Sequence, residues 1–587
     1  MKLVIVESPG KIKKIQGYLG TGYKVIASVG HIVDLAKGGQ YNMGVDLQTF
    51  IPKYVITDDK KDVYRRILDE ANQAKEIYLA MDDDREGNAI AWHIKQRLAG
   101  ITAPIKKVVF KEITKEGIKK GFKAVHDVDE DLFKAQETRR LLDRIVGFTT
   151  SPYVTKAFGS NLSAGRVQSA ALKIITDRED EIQNFKPEKF WTIDAKFTKD
   201  KEEINAKYDT KLSDEPTAKA TYTKFQATKK YEVTSVENEE KKQYPQPPII
   251  TSKMLQITAT KYKLSASAIS AAAQKLYEAG LVTYIRTDSV RTEPDALENL
   301  REYIKKAKHP LAEKELVYKN KDAAQDAHEC IRPTNLEVVS TSPEMPDSDS
   351  AKVYKVIYDY FMMSQMKPAT FAMTRVILTS QEDKTCQLKI TGKMLKDKGY
   401  LEYLNEIPEG SIPNLSKGDI VEIDAKNIFL NEKKTAPPGR YNAASFLKEI
   451  ESNGIGRPAT FAEIANKIEN RHYVEKNDKD VYIPTDLGKK VSDKLSKFFK
   501  FVNADYTSQL ETQLEQIAES KLDNKKILAA FWLELEGQLA DAYKELNVPM
   551  CPKCNAPLRE LTNKQKNEKF FGCSAYPSCK FTKSKES

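Results

Sequence analysis

The chain of 587 residues is 40% hydrophobic and 30% charged, and its 94 basic and 84 acidic side chains give a formal net charge of +10. This length predicts about three to five domains, and the hydrophobic content is sufficient for their cores. No stretch approaches the roughly 18 to 20 apolar residues of a membrane helix, and six cysteines in so long a chain exclude a disulfide scaffold.

Two short apolar runs, Lys2–Val6 and Glu76–Ala80, each lead into a turn and then into a helical pattern. This repeated strand–turn–helix order predicts a parallel α/β sheet, in which ligands gather at the carboxyl ends of the strands. Glu7 follows the first run, and the sequence Asp-Asp-Asp-Arg-Glu-Gly at 82–87 follows the second. Converging carboxylates predict an all-oxygen site for Mg²⁺, an ion that usually acts on phosphates. The predicted helices span residues 11–19 and 89–98.

The acidic run allows two other interpretations. It nearly fits the first six positions of an EF-hand loop, but the twelfth position is His93 and a strand replaces the preceding helix. It could also be a solvated surface turn. Glu7, at the end of the other strand, favours the metal site.

The pattern beyond this unit changes repeatedly between helical and strand-like. Two strand-like stretches flank a helical insert, which indicates that the chain leaves a domain and returns to it. Within the insert, an Ala/Ser-rich helix from 265 to 278 ends at Gly280. The predicted segments are helical at 129–181, strand-like at 190–236, helical at 251–334, strand-like at 353–428 and helical at 443–546.

Tyr284 and Arg286 follow Gly280 on a β-like segment, where side chains two residues apart point the same way. A phenol with a pKa of about 10 is a poor nucleophile unless a cation stabilises its anion. A guanidinium can do this and can also grip a phosphate. His328 and Arg332 have helical spacing and could share one phosphate. The alternatives are a packed tyrosine and an ordinary surface or core histidine.

Four cysteines cluster at the C-terminus, as the CxxC pair Cys551 and Cys554 and the wider pair Cys573 and Cys579. Four thiolates in two close pairs suit tetrahedral Zn²⁺. Disulfides in a secreted tail are the alternative, and the absence of a signal peptide argues against them.

Short motifs occur along the chain in a definite order. They are Val-Glu-Ser-Pro-Gly-Lys at 6–11, Gly-His-Ile-Val-Asp-Leu at 30–35, the acidic motif at 82–87, Gly-Arg-Val-Gln-Ser at 165–169, Thr-Tyr-Ile-Arg-Thr-Asp-Ser at 283–289, Ala-His-Glu-Cys-Ile-Arg-Pro at 327–333 and Gly-Ile-Gly-Arg-Pro-Ala-Thr at 454–460. In this combination and order the chain resembles the type IA DNA topoisomerases, in particular bacterial topoisomerase I, over nearly its full length.

The resemblance implies a multidomain fold of α/β, α and β parts: an N-terminal Toprim (Rossmann-like) domain, a toroidal core of discontinuous domains and a C-terminal zinc ribbon. The expected divisions are the Toprim domain at 1–125, a helical domain of the single-strand groove at 126–186 and 440–546, a β-rich arch or hinge domain at 187–246 and 353–439, a helical domain with the nucleophilic tyrosine at 247–352, and the zinc ribbon at 547–587.

The resemblance also implies the chemistry. Tyr284 would attack a single-strand phosphodiester, keep the 5′-phosphate as a phosphotyrosine and free a 3′-hydroxyl. Lys11 would protonate the departing oxygen, Glu7 could handle the same proton, and Arg286 and His328 would stabilise the charge on the phosphate. Because the phosphotyrosine stores the bond energy, no ATP is needed, and the sequence contains no P-loop.

The remaining site residues expected from the resemblance are ligands and DNA contacts. Asp82, Asp84 and Glu86 would hold Mg²⁺, with Glu7 as a further candidate ligand, and the four C-terminal cysteines would hold Zn²⁺. A salt-bridged helix surface is the alternative interpretation of the groove residues. The expected DNA contacts are Arg139, Asp143, Arg166, Gln168, Arg332, Arg457 and His31.

We therefore expect an ATP-independent, Mg²⁺-dependent enzyme that relaxes negatively supercoiled DNA. The expected partners are single-stranded and negatively supercoiled DNA, without a membrane, for a monomeric cytoplasmic protein that is nucleoid-associated if bacterial. A topoisomerase III-like decatenase remains an alternative within the family. A Toprim primase or nuclease would need no Tyr284 motif, and a non-enzymatic single-strand-binding scaffold would need neither site.

Overall fold

The computed structural model describes residues 1–320, 328–411, 414–563 and 568–584. Ala327 of the sixth motif and short pieces of three predicted domains lie outside these ranges. In the described part of the chain, no helix is both long and apolar enough to cross a membrane.

The N-terminal unit is built around a four-stranded parallel sheet of order β2-β1-β5-β6, as the repeated strand–turn–helix pattern predicts. Both apolar runs are strands with the predicted bounds. The elements are β1 (Lys2–Val6), α1 (Ile12–Leu19), β2 (Tyr23–Ala27), β3 (Val33–Leu35), β4 (Tyr54–Ile56), α2 (Lys61–Asn72), β5 (Glu76–Ala80), α3 (Arg85–Arg97), β6 (Ile105–Lys107) and α4 (Lys115–Lys123).

The central strand β1 is buried on both faces, which explains its continuous apolar sequence. Leu3 and Ile5 pack into a core within the N-terminal unit. Val4 and Val6 point the other way, into the large core that the unit shares with the rest of the molecule. Because Val6 pairs with Ala80, β1 and β5 end at the same sheet edge, and the acidic residues that follow them start from neighbouring positions.

A pair of long helices leads into the first β-rich segment. The prediction of continuous strands over 190–236 is wrong at α7, where the Asp214 side chain caps the helix and Pro216 occupies its first turn, both strong helix-start signals. The elements here are α5 (Glu130–Phe158), α6 (Arg166–Asn184), β7 (Lys189–Lys199), β8 (Glu202–Lys207), α7 (Glu215–Gln226) and β9 (Lys230–Gln243).

The helical insert follows, and then the chain returns to the same sheet. The prediction of strands from 353 is wrong at α11, whose buried Val353, Ile357 and Phe361 recur at helical spacing. The elements are α8 (Thr251–Tyr262), α9 (Ala266–Glu278), α10 (Pro294–Lys306), α11 (Ser348–Met363), β10 (Ala369–Ser380), β11 (Gln387–Asp397), α12 (Leu401–Leu404), β12 (Ile420–Glu422) and β13 (Ile428–Lys434).

Strands from both sides of the insert form one seven-stranded sheet, in the order β12-β9-β10-β11-β8-β7-β13, around a separate core. Within this sheet β9 pairs antiparallel with β10, and Gln243 at the end of β9 lies opposite Ala369 at the start of β10. The insert therefore leaves and re-enters the sheet at paired residues. Helix α11 packs on α8 and α9, so a boundary after this helix fits the contacts better than one at 353. The domain boundaries themselves stay predictions.

The last helices pack back onto the first pair, with α16 and α17 against α5 and α15 against α6. A small three-stranded sheet ends the described chain, and Cys551 and Ala575 in the segments beside its strands belong to the same large core as Trp532 of α17. The elements are α13 (Ala443–Ser452), α14 (Phe461–Asn470), β14 (Val474–Lys476), β15 (Tyr482–Pro484), α15 (Asp486–Phe498), α16 (Ala504–Ala518), α17 (Asn524–Glu545), β16 (Leu558–Thr562), β17 (Lys569–Cys573) and β18 (Thr582–Ser584).

Candidate active site

The acidic motif turns directly from β5 into α3. Asp84 caps the helix by accepting a hydrogen bond from the Gly87 backbone nitrogen at 2.7 Å, so the helix starts at Arg85 and not at the predicted residue 89. Gly87 is required here, because a Cβ would lie 2.3 Å from the Asp82 backbone oxygen. The motif thus holds its carboxylates on a tight turn at the sheet edge.

Lys11 enters the same edge from the turn after β1. Its ammonium group is buried, with the side chain only 3% exposed, and it forms an ion pair with Asp82. The group also lies 5.0 Å from the centre of the Tyr277 ring. The structure therefore brings the lysine of the first motif to the first carboxylate of the third.

The carboxylates of this cluster have different pKa values. Burial, together with the charges of Asp82 and Asp84, raises the pKa of Glu7 to about 8. Burial also raises the pKa of Asp82 above its ordinary value. Burial acts in the same direction on Asp84, but the charge of Arg286 and the hydrogen bonds that this carboxylate accepts outweigh it and lower its pKa. At neutral pH, Glu7 therefore carries a proton and Asp84 does not.

Tyr284 reaches this acidic edge from the helical insert. Its hydroxyl donates a hydrogen bond of 2.5 Å to Asp84 Oδ2. Arg286 Nη1 lies 3.1 Å from the same oxygen and 3.1 Å from Glu86 Oε2. Burial and the charges of Asp84 and Asp82 raise the pKa of Tyr284 well above its ordinary value, so the phenol is neutral in this state. The nucleophile candidate and the acidic motif form one site.

The segment that carries Tyr284 is not the strand that its sequence predicts. Val282 makes an isolated bridge with Pro333, and the Tyr284 backbone nitrogen donates to the Lys111 oxygen at 2.9 Å. Its backbone partners come from irregular segments, so no regular ladder forms. Arg286 still reaches the carboxylate that Tyr284 contacts, because both side chains meet Asp84 Oδ2.

His328 joins the site, whereas Arg332 does not. His328 Nε2 lies 3.6 Å from Asp83 Oδ2. Arg332 is buried, and its guanidinium contacts Glu329 at 2.9 Å and Glu112 at 3.1 Å. The predicted helical spacing of the two residues is wrong, since the segment has no helical hydrogen bonds and is held by bridges such as Ile331 to Ile249.

His31, from the second motif, lies at the outer rim of the site. Its Nε2 is 3.9 Å from Glu86 Oε1. It lines a cavity of about 340 Å³ between the N-terminal unit and α5, together with Tyr54, His93 and Arg140. Burial lowers its pKa below the ordinary value.

The predicted groove arginines meet around a glutamate that sequence reasoning missed. Glu511 of α16 is fully buried, with Arg166 Nη1 at 2.8 Å, Arg139 Nη1 at 3.4 Å and Arg457 Nε at 4.0 Å. Burial opposes its ionisation, but these arginines dominate and lower its pKa to about 2. Its only sequence signal is a carboxylate on the apolar face of α16, beside Leu510 and Leu514.

Further members extend this cluster in two directions. On one side Asp143 pairs with Arg166 at 3.0 Å. Both residues and Gln168 line a cavity of about 280 Å³. On the other side Glu515 contacts Arg457 at 3.2 Å and pairs with Arg85 of the acidic motif. Arg85 and Glu515 were also missed from sequence. Charges therefore run without a gap from the acidic edge to the groove.

The four C-terminal cysteines form a compact cluster, with their sulfur atoms within 4.8 Å of one another. The Cys551 and Cys579 sulfurs are 3.7 Å apart, and those of Cys554 and Cys573 are 3.3 Å apart. A tetrahedral Zn²⁺ with bonds of about 2.3 Å requires sulfur separations of about 3.8 Å. All four are free thiols, so the arrangement fits zinc and excludes the disulfide alternative.

The acidic edge fits a cation differently. Within the described ranges, no other group of three or more metal-binding side chains converges as tightly as the cysteines. Mg²⁺ needs only one or two protein carboxylates when a substrate phosphate supplies further oxygens. The hard oxygen donors fit such a cation, and so does the repulsion from Asp82 and Asp84 that adds to burial in raising the pKa of Glu7.

The chain matches known protein families along most of its length. Residues 2–113 match the Toprim domain, residues 127–529 match the DNA topoisomerase family, and residues 548–587 match the topoisomerase DNA-binding C4 zinc finger. The chain is also similar to topoisomerase I from Thermotoga maritima, whose full-length structure is known. The two share 31% sequence identity and superpose with a TM-score of 0.80, and the match covers 100% of this chain and 97% of that one.

These matches confirm the fold and the partner class that the motifs indicate: a Toprim domain, a topoisomerase core, a zinc ribbon, and DNA as the partner of an isomerase. The chain belongs to the type IA DNA topoisomerase family.

Proposed function

We propose that the protein relaxes negatively supercoiled DNA by transient cleavage of one strand, with Tyr284 as the nucleophile. The observation that carries this proposal is the 2.5 Å hydrogen bond from the Tyr284 hydroxyl to Asp84. It places a phenol from the helical insert within the carboxylate edge of the Toprim sheet, where a phosphate would meet both.

The cleavage step follows from these contacts. Tyr284 Oη forms a bond to phosphorus while the bond from phosphorus to the 3′-oxygen breaks, which leaves the 5′-phosphate on the tyrosine. Asp84 Oδ2 accepts the phenol hydrogen bond and is placed to receive its proton. Lys11 supplies a proton to the leaving 3′-oxygen, and Glu7, which is protonated at neutral pH, is the second candidate donor.

Cationic groups stabilise the charge on the phosphate during transfer. Arg286 already lies between Asp84 and Glu86 and would exchange them for phosphate oxygens. His328, next to Asp83, lines the same cleft as Arg286 and would add to this stabilisation. Asp82, Asp84 and Glu86, with Glu7 as a further candidate, would hold Mg²⁺, which supplies positive charge that orients the 3′-hydroxyl and phosphate for religation.

Religation reverses the first step, so no external energy source is required. The 3′-hydroxyl attacks the phosphotyrosine, and the phenol leaves with a proton. Passage of the intact strand requires the insert to separate from the Toprim domain. Contacts that would break include Ser8 Oγ to Glu278 at 2.6 Å and Arg332 to Glu112 at 3.1 Å.

The test uses single-stranded DNA labelled at its 3′ end, which is incubated with protein and Mg²⁺ and then denatured. Wild-type protein should form an adduct that retains the strand downstream of the cut, whereas Tyr284→Phe should form none. Tyr277→Phe, which removes the neighbouring hydroxyl that donates to the Phe110 oxygen, should still form it. An adduct from Tyr284→Phe would contradict the proposal.

The preferred topological reaction needs a separate assay. We expect wild-type protein to relax a negatively supercoiled plasmid without ATP and to act on it as a monomer. Faster unlinking of nicked catenanes than relaxation of the supercoiled plasmid would favour the decatenase alternative. Light scattering during gel filtration would test the monomeric state.

A further inference from the structure

The cluster between the active site and the groove contains four arginines, Arg85, Arg139, Arg166 and Arg457, whose charges are balanced by carboxylates of the same chain. In a protein that binds DNA, such guanidinium groups are expected to meet backbone phosphates. The internal carboxylates therefore compete with the ligand for them.

The two glutamates of α16 in this cluster differ in exposure. The Glu511 side chain is completely buried, so a phosphate cannot replace it without disrupting the fold. The Glu515 side chain is 28% exposed. It faces a cleft of about 120 Å³ that is also lined by Asp84, Arg286 and His328. A strand bound at the active site would enter this cleft.

Two features make the contacts of Glu515 exchangeable. Its negative charge lies in the last turn of α16, where the helix dipole disfavours an anion. In addition, Arg85 Nε is buried without a hydrogen-bond partner among the described residues, so Glu515 satisfies that guanidinium only in part. A phosphate with more oxygens can satisfy the pair better.

We propose that Glu515 is an internal substitute for a backbone phosphate of the bound strand. In the free protein it neutralises Arg85 and Arg457, and it releases both to a phosphodiester when single-stranded DNA enters the cleft. The carboxylate keeps these arginines folded in place at the cost of DNA affinity. This inference rests on the proposed function, since it assumes a strand at the Tyr284 site.

The test measures binding of a fluorescent single-stranded oligonucleotide by anisotropy, with chelator present so that no cleavage occurs. Glu515→Gln should bind about five-fold more tightly than wild type, because the competing charge is gone. Glu519→Gln removes the same charge from the residue that directly follows this helix, but Glu519 is exposed and pairs with Lys521. Its affinity should stay within about two-fold of wild type.

Salt and a second substitution separate direct competition from a general charge effect. At about 1 M salt the Debye length is about 3 Å, so a long-range electrostatic effect of the lost charge disappears. The ratio of the affinity of Glu515→Gln to that of wild type should nevertheless stay the same as at low salt. In an Arg457→Ala background the gain should shrink, because one of the two blocked arginines is missing. Circular dichroism would confirm that each variant is folded.

Weaker binding by Glu515→Gln would overturn the proposal and show that Glu515 only positions the arginines. An equal gain in the Arg457→Ala background, or a gain no larger than that of Glu519→Gln, would overturn it too. These outcomes are independent of catalysis. Wild-type protein that forms no tyrosine adduct with Mg²⁺ would instead refute the proposed function.

Discussion

The carboxylates of the acidic edge differ in burial and in their contacts, and both determine their charge. Asp82 pairs with Lys11, Asp84 with Tyr284 and Arg286, and Glu7 retains its proton. The site thus presents a protonated carboxyl group, an ionised carboxylate and a neutral phenol side by side. Motifs in the sequence predicted which residues meet, but not this division of charge, since it depends on burial.

The pKa of Glu7 predicts a pH dependence of stability. Because its pKa is about 8 in the folded protein and 4.5 as an ordinary glutamate, folding favours the protonated form. Its contribution is fully present below pH 4.5 and is lost as the pH rises through about 8. In chelator, the apparent Tm of wild type should therefore fall more between these values than that of Glu7→Gln. Parallel curves for the two proteins would contradict this assignment.

Substitution of the acidic pair should separate chemistry from binding. Asp82→Ala combined with Asp84→Ala removes two proposed metal ligands and the partner of the Tyr284 hydroxyl. We expect plasmid relaxation to fall at least 100-fold, while affinity for single-stranded DNA in chelator changes by less than about three-fold. An equal loss of binding would indicate a structural role for the two aspartates.

Arg332 was expected from sequence to contact DNA, and its contacts predict a different phenotype. Arg332→Ala would leave buried Glu329 and partly buried Glu112 without their cation, a loss of about 3 kcal/mol for a buried pair. Thermal unfolding should show the loss, and the salt dependence of DNA binding should not change. A shallower salt dependence with normal stability would restore the DNA-contact interpretation.

At the scale of elements, the sequence predicts a helix or strand correctly where its hydrophobic residues follow one clear pattern. Strands β1 and β5 have continuous apolar runs and were predicted to the residue. Helices α7 and α11 lie next to strand-like sequence, and their capping residues were the overlooked signals. The Tyr284 segment could not be predicted, because tertiary contacts alone determine its shape.

The turn into α3 offers a test at this scale. Gly87→Ala would place a methyl group 2.3 Å from the Asp82 oxygen, so the helix and the acidic turn must move apart. We expect at least a ten-fold loss of relaxation activity and a lower apparent Tm. Gly100→Ala is the matched control, since a Cβ there meets nothing within 4 Å. Normal activity of Gly87→Ala would show that the turn tolerates displacement.

At the scale of the whole molecule, the zinc ribbon is part of the main core. Cys551, Cys573 and Ala575 pack in the same cluster as Tyr41 of the Toprim domain and Trp532 of α17. Sequence predicted the four-cysteine site, but it contained no signal for this attachment, because docking surfaces have no fixed spacing.

Removal of zinc should therefore affect more than the ribbon. A strong zinc chelator should lower the apparent Tm of the full chain. It should also increase the quenching of tryptophan fluorescence by a soluble quencher, because Trp532, which is only 8% exposed in the intact fold, becomes accessible. Added Zn²⁺ should reverse both effects. An unchanged Tm and unchanged quenching after verified loss of zinc would show that the ribbon contributes nothing to the core.

The paired exit and entry of the helical insert has a mechanical consequence. Because Gln243 and Ala369 lie opposite each other in β9 and β10, both ends of the insert are fastened at one point of the sheet. The insert also packs on the last helices, with α8 against α13 and α9 against α14. In the proposed strand passage these contacts would open while the pairing of Gln243 with Ala369 stays in place. The insert would then bring Tyr284 back to the same acidic edge, because its two ends have not moved apart in the sheet.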